Sequence, residues 1–133
     1  MSGGYRLSGA KSWATLGPAG NFLLVAARLP PHDAARPQLH MVRVRADAPG
    51  VTISLMPPTA FVPEVPHARL TFEGVAITDD EVLPGDGYER YIKPFRTVED
   101  IHVTAALLAC ALAEACRRDW PTAWRERAAM SLL

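Results

Sequence analysis

The strongest constraint on this chain is where its prolines fall. Most of the twelve prolines lie between Pro30 and Pro66. A proline lacks the amide that a helix interior uses and its ring strikes the preceding turn, so this region is barred from long helices and suits loops and edge strands. Around and between the prolines run short segments rich in β-branched and aromatic residues: Tyr5 to Leu7, Lys11 to Thr15, Phe22 to Arg28, Leu39 to Val44, Val51 to Leu55 and Ala68 to Phe72. Gly, Pro, Asn and Asp separate them, which is the pattern of an antiparallel sheet. Leu39, Met41, Arg43 and Arg45 alternate with His40, Val42 and Val44, so this strand is expected to bury one face and leave its arginines in water.

Beyond Leu83 the pattern changes. Thr97-Val98-Glu99-Asp100 has the form of a capping box, which predicts a helix start there. The helix continues through Val103, Leu107, Leu108 and Leu112 to Arg117 and Arg118, whose charges suit its negative end, with Pro121 just beyond. Alanine fills many of its other positions, so it is apolar on nearly every side and reads as a helix buried among others. A second helix is expected from Pro121 or Thr122 through Trp124, Ala128 and Met130, stopping in mid-pattern at Leu133. One such helix and part of another cannot cover each other's apolar surface, which predicts a piece of something longer or an oligomer of like chains. Cys110 and Cys116 lie on the first helix about 240° apart, too divergent to bridge within it. They read as buried free thiols in a reducing cytoplasm.

At 133 residues with 49% apolar and 21% charged residues, the chain is expected to fold. Fourteen basic residues balance fourteen acidic ones, leaving no overall field to draw it to nucleic acid or an anionic membrane. The first residues show no secretory pattern, and the longest apolar run, Ile101 to Ala113, is interrupted by His102 and Thr104 and is too short to span a bilayer. His32, His40, His67 and His102 are scattered without metal-ligand spacing, so no metal site is expected. Asp79-Asp80-Glu81 and Asp86 read as a solvated turn, and no nucleotide-binding glycine motif or Gly-x-Ser-x-Gly elbow occurs.

Trp13 and Thr15 stand two apart in an extended segment, so they can present an aromatic plane and a hydroxyl on one face. That pairing suits a flat ligand with hydrogen-bonding atoms, although both residue types are also ordinary strand formers. The surrounding run, Gly4-Tyr5 followed by Ser8-Gly9-Ala10-Lys11-Ser12-Trp13-Ala14-Thr15, resembles the middle-domain signature of the acyl-CoA dehydrogenase flavoenzymes, Asn/Ser-Gly-x-Lys-x-Trp-x-Thr. Leu70-Thr71-Phe72-Glu73-Gly74-Val75-Ala76-Ile77 with Val82-Leu83-Pro84-Gly85 is similar to that family's closing strand, and Asp47-Ala48-Pro49-Gly50-Val51 to its Pro-Gly-Val turn.

The resemblance covers about Gly4 to Arg118. It implies an α+β fold: an antiparallel β-barrel or sandwich-like middle domain over residues 1–90, incomplete at its amino end, followed over 91–133 by one long apolar helix and the start of a second, the opening of the helical carboxy-terminal domain. It further implies FAD as cofactor, with Trp13 against the flavin ring and Thr15 bonded near the flavin N5. The implied activity is α,β-desaturation of an acyl-CoA thioester, with electrons passed to a separate acceptor. Departures are visible. Ala14 and Leu16 stand where the family has Ile and Asn, Pro63-Glu64-Val65-Pro66-His67 replaces Arg-Gly-Ser, and Asp100 falls where many members carry Arg. The family's Thr-Glu-Pro-x-x-Gly-Ser-Asp segment and its catalytic glutamate have no counterpart here, so no catalytic residue is expected in this chain and it is expected to be inactive alone. The alternative is a non-catalytic β-rich binding module that self-associates through its apolar helix.

Overall fold

A computed structural model of the chain describes residues 4–29, 38–60 and 62–132; His32 lies outside them. The chain forms two compact units, Met1–Arg90 and Tyr91–Leu133.

Among the described residues the first unit has five antiparallel strands: β1 (Tyr5–Thr15), β2 (Phe22–Arg28), β3 (Leu39–Arg45), β4 (Val51–Leu55) and β5 (His67–Ile77). They pair as a three-stranded sheet in the order β1-β5-β4 and a two-stranded sheet of β2 with β3. Both sheets contribute to one core, Leu23, Val25, Val42 and Val44 from the hairpin and Ala68, Leu70, Phe72, Val75 and Ile77 from β5. The arrangement is therefore sandwich-like; among the described residues the sheets stay open and do not close into a barrel. Arg43 and Arg45 lie outward as expected and flank the exposed Phe22 ring, 5.7 and 5.9 Å from its centroid.

Along β5 the buried positions run Ala68, Leu70, Phe72 and then Val75, Ile77. This change of phase requires one extra residue. A bulge supplies it, because Leu7 pairs with Val75 while Gly9 pairs with Phe72, leaving Ser8 opposite both Glu73 and Gly74. Gly74 takes φ 61° there, its amide donates to Ser8 Oγ at 3.0 Å, and Arg6 Nη1 donates to its carbonyl at 2.9 Å. The turn before β4 has the type II form: Val51 N–H donates to the Ala48 carbonyl at 3.0 Å, Pro49 precedes, and Gly50 takes φ 90°.

Two element boundaries differ from the sequence expectation. Tyr5–Leu7 and Lys11–Thr15 join into one strand, because Gly9 takes a positive φ of 142°, open to glycine, and keeps its pairing with β5. The helix does not begin at Thr97. It starts with a π-helical turn, Tyr88–Ile92, whose first amides are capped by the Asp86 carboxylate, 2.9 Å from Tyr88 N and 2.8 Å from Glu89 N. Helix α1 then runs Lys93–Arg117, and the Thr97 hydroxyl bonds back to the Lys93 carbonyl at 3.0 Å, inside the helix. A Thr-Glu pair does act as a local cap at Thr78, whose amide and hydroxyl both donate to Glu81 Oε2 at 2.8 and 3.0 Å.

In the second unit α2 (Thr122–Met130) folds back on α1, burying Ala115 and Ala128, and Trp120 meets Trp124 edge to face at 4.9 Å. Glu114 receives Arg117 and Arg118 at the end of α1. The remainder of α1 is open: Phe95, Val98, Ile101, Val103 and Leu107 are exposed. Cys110 and Cys116 are exposed as well, which corrects their expected burial; the alanine-rich surface around them is apolar but uncovered. Among the described residues no helix is long and apolar enough to cross a membrane.

Candidate functional site

Residues directly opposite on paired antiparallel strands share a face. At the end of the β1-β5 ladder Ala14 pairs with Ala68, which is fully buried, so the next pair, Thr15 with His67, lies on the face away from the core. Leu16 N–H to the Pro66 carbonyl and Met56 N–H to the His67 carbonyl, both 2.9 Å, continue the pairing past this point and hold both backbones in place.

Trp13 reaches the same place through a second irregularity. Ser12 pairs with Arg69 and Ala14 with Ala68, so Trp13 is the extra residue of a bulge on β1. Bulges re-aim a side chain relative to its ladder. Here the indole stands 61% exposed, a large fraction for a tryptophan on a sheet, and meets the His67 imidazole edge to face, centroids 5.5 Å apart and planes at 77°. Thr15 Oγ1 lies 3.2 Å from His67 Nδ1. The other ring nitrogen, Nε2, is buried and has no hydrogen-bond partner among the described residues.

Trp13 and Thr15, the two site residues expected from sequence, are thus brought together on one face with His67 as a third member. Sequence reasoning assigned His67 no role, since its neighbours in the site are more than fifty positions away and only strand register unites them. The signal that existed was its place at the start of the strand resembling the closing strand. The arrangement offers an exposed aromatic side chain and a hydroxyl, both meeting the same imidazole, which fits a flat conjugated ring carrying polar atoms. Among the described residues no group of three or more His, Cys, Asp or Glu side chains could hold a metal ion.

No protein-family model matches the chain. Over 118 residues it is 29% identical to the benzylmalonyl-CoA dehydrogenase of Aromatoleum aromaticum, a span of 86% of this chain and 29% of the relative. The solved butyryl-CoA dehydrogenase of Megasphaera elsdenii matches 87% of the chain, and 31% of its own, with a TM-score of 0.67 at 21% identity. The fold is that of the acyl-CoA dehydrogenase family. The same fold extends beyond acyl-CoA dehydrogenases by name: the structure of KijD3 in complex with FMN and a dTDP-linked amino-keto sugar matches 86% of this chain and 30% of its own, with a TM-score of 0.61 at 23% identity. The chain spans about three-tenths of the length of each of these relatives.

Proposed function

We propose that this chain supplies the flavin-facing wall of an acyl-CoA dehydrogenase-like oxidoreductase, with Trp13 lying against the ring system of FAD and Thr15 hydrogen-bonding at its edge. The observation that carries the reading is the exposed Trp13 set beside the Thr15–His67 pair on the outer sheet face. An aromatic side chain left that open costs hydration, and a planar ligand stacked on it recovers the burial.

The substrate class we assign is an acyl-CoA thioester, desaturated between its α and β carbons, with electrons leaving to a separate acceptor; the name of the benzylmalonyl-CoA dehydrogenase relative supports this choice. A bound flavin supplies a ring nitrogen that takes up the β hydride. The part of Thr15 is to direct a hydroxyl at that nitrogen, and the part of Trp13 is to fix the plane and shield it from water. Removal of the α proton is assigned to no residue of this chain. The open apolar side of α1 formed by Phe95, Val98 and Ile101 is proposed to be an association surface, so that copies of the chain form an oligomer. A reducing cytoplasm is the compartment proposed for its two free, exposed thiols.

Equilibrium dialysis of the purified chain against FAD, read by absorbance at about 450 nm, tests the assignment. Retention of flavin by the wild type, weakened about 5- to 150-fold in Trp13→Ala, is expected from the loss of about 1–3 kcal/mol of stacking. Equal retention by both proteins would remove Trp13 from the site.

A further inference from the structure

The contact between Thr15 and His67 can be made in two ways, and they leave the site with opposite hydrogen-bonding character. A hydroxyl carries one proton, and a neutral imidazole carries one N–H. If Thr15 donates to a bare Nδ1, the ring proton sits on Nε2, which is buried without a partner among the described residues. A buried N–H left unpaired is the costlier orphan. If instead Nδ1–H donates to Thr15 Oγ1, Nε2 keeps only a lone pair, a lesser penalty, and the Thr15 proton has no use within the cluster.

We propose that His67 is a positioning residue: its Nδ1–H donates to Thr15 Oγ1 across the β1-β5 pair, so that the single Thr15 proton is aimed outward at an acceptor atom of the bound flavin. The inference rests on the flavin reading for the identity of that acceptor. It draws its geometry from the 3.2 Å contact, the buried Nε2 and the edge-to-face packing of the imidazole with Trp13, planes at 77°. A rotating hydroxyl without His67 would divide its time among several partners, water included. With His67 donating to it, the hydroxyl meets the ligand already oriented, and less freedom is lost on binding.

Long-range ¹H–¹⁵N NMR of the full ¹⁵N-labelled chain at about pH 8, where an ordinary histidine is neutral, reads the tautomer directly, with the His67 signals identified by their loss in His67→Asn. The expected pattern is a protonated Nδ1 and a bare Nε2, with an Nδ1–H that exchanges with water faster in Thr15→Val, where its acceptor is gone. A wild-type Nε2–H pattern, or an Nδ1–H whose exchange is unchanged in Thr15→Val, would overturn the proposal. FAD affinity supplies a second arm: His67→Leu is expected to weaken binding about tenfold, whereas His67→Asn, whose carboxamide N–H can take the place of Nδ1–H, stays within about threefold. Equal losses in the two variants count against positioning. A wild-type chain that takes up no FAD yet shows the Nδ1–H tautomer with Thr15-dependent exchange refutes the flavin reading and leaves the positioning role standing.

Discussion

Gly50→Ala is expected to be among the most damaging single-methyl additions to the β unit. Gly50 sits at φ 90°, where an L side chain is strained, and an added Cβ would come within 2.5 Å of the Glu73 carbonyl oxygen and 3.3 Å of Val75 Cγ2. The obstacle is the backbone of β5 at its bulge, not the end of a flexible side chain. Left-handed strain contributes about 1–2 kcal/mol. Relieving the overlap means lifting the turn from β5, which puts at risk the 2.9 Å bond from Glu73 N–H to the Gly50 carbonyl, worth about 1 kcal/mol. Alanine's smaller unfolded-state entropy returns roughly 0.5 kcal/mol, leaving a net loss of about 2 kcal/mol. For a unit of this size that lowers Tm by roughly 10 °C. Gly74→Ala is the matched comparison, since Gly74 also has positive φ, 61°, but a Cβ there meets nothing within 4 Å. It should lose only the strain, about 1 kcal/mol. Urea denaturation followed by circular dichroism measures both. Equal losses, or a Gly50→Ala loss below about 0.5 kcal/mol, would refute the assignment of the cost to the β5 backbone.

Other expectations follow from the two units taken separately. Phe72→Ala removes a 3% exposed ring from the core shared by both sheets and should cost about 3–5 kcal/mol in the same assay. The Glu114 carboxyl is held below its ordinary value of 4.5, chiefly by the Arg117 guanidinium, so its contribution to stability is present above that pH and is lost as pH falls through the depressed folded value. Wild type and Glu114→Gln should therefore differ in helix melting near neutrality and converge in acid; a difference that persists in acid contradicts the pairing. Both Cys110 and Cys116 should react with a thiol reagent in the folded chain at rates near those of the unfolded one, whereas protection of either would show that its helix face is covered in solution.

The core was legible from residue alternation, and the site's key connections were not. Val42, Val44, Leu70 and Phe72 announce their inward face by period-two spacing, which is a local property of the chain. The isolated Gly74, where the apolar alternation changes phase, is a local mark of its bulge, whereas the bulge at Trp13 depends on the opposite strand's register and nothing local to Ser12-Trp13 marks it. His67 was missed for the same reason: its bond to Thr15 spans 52 positions and exists only through pairing. At the helix start the Thr97 box was the familiar signal, yet Asp86 caps earlier amides, because a carboxylate can satisfy two of them at once and the helix simply extends back to it. The exposure of Cys110 shows the limit of composition, since an apolar helix is buried only where something packs against each face.

The central claim is that the outer face formed by Trp13, Thr15 and His67 receives the flavin ring. Mapping ¹H–¹⁵N chemical-shift changes on the assigned chain during titration with FAD tests it most directly. The account predicts saturable shifts centred on the Trp13 indole N–H, the Thr15 and His67 signals and the adjoining Leu16 amide, and their loss in Trp13→Ala. Shifts centred elsewhere, or unchanged in that variant, would contradict it.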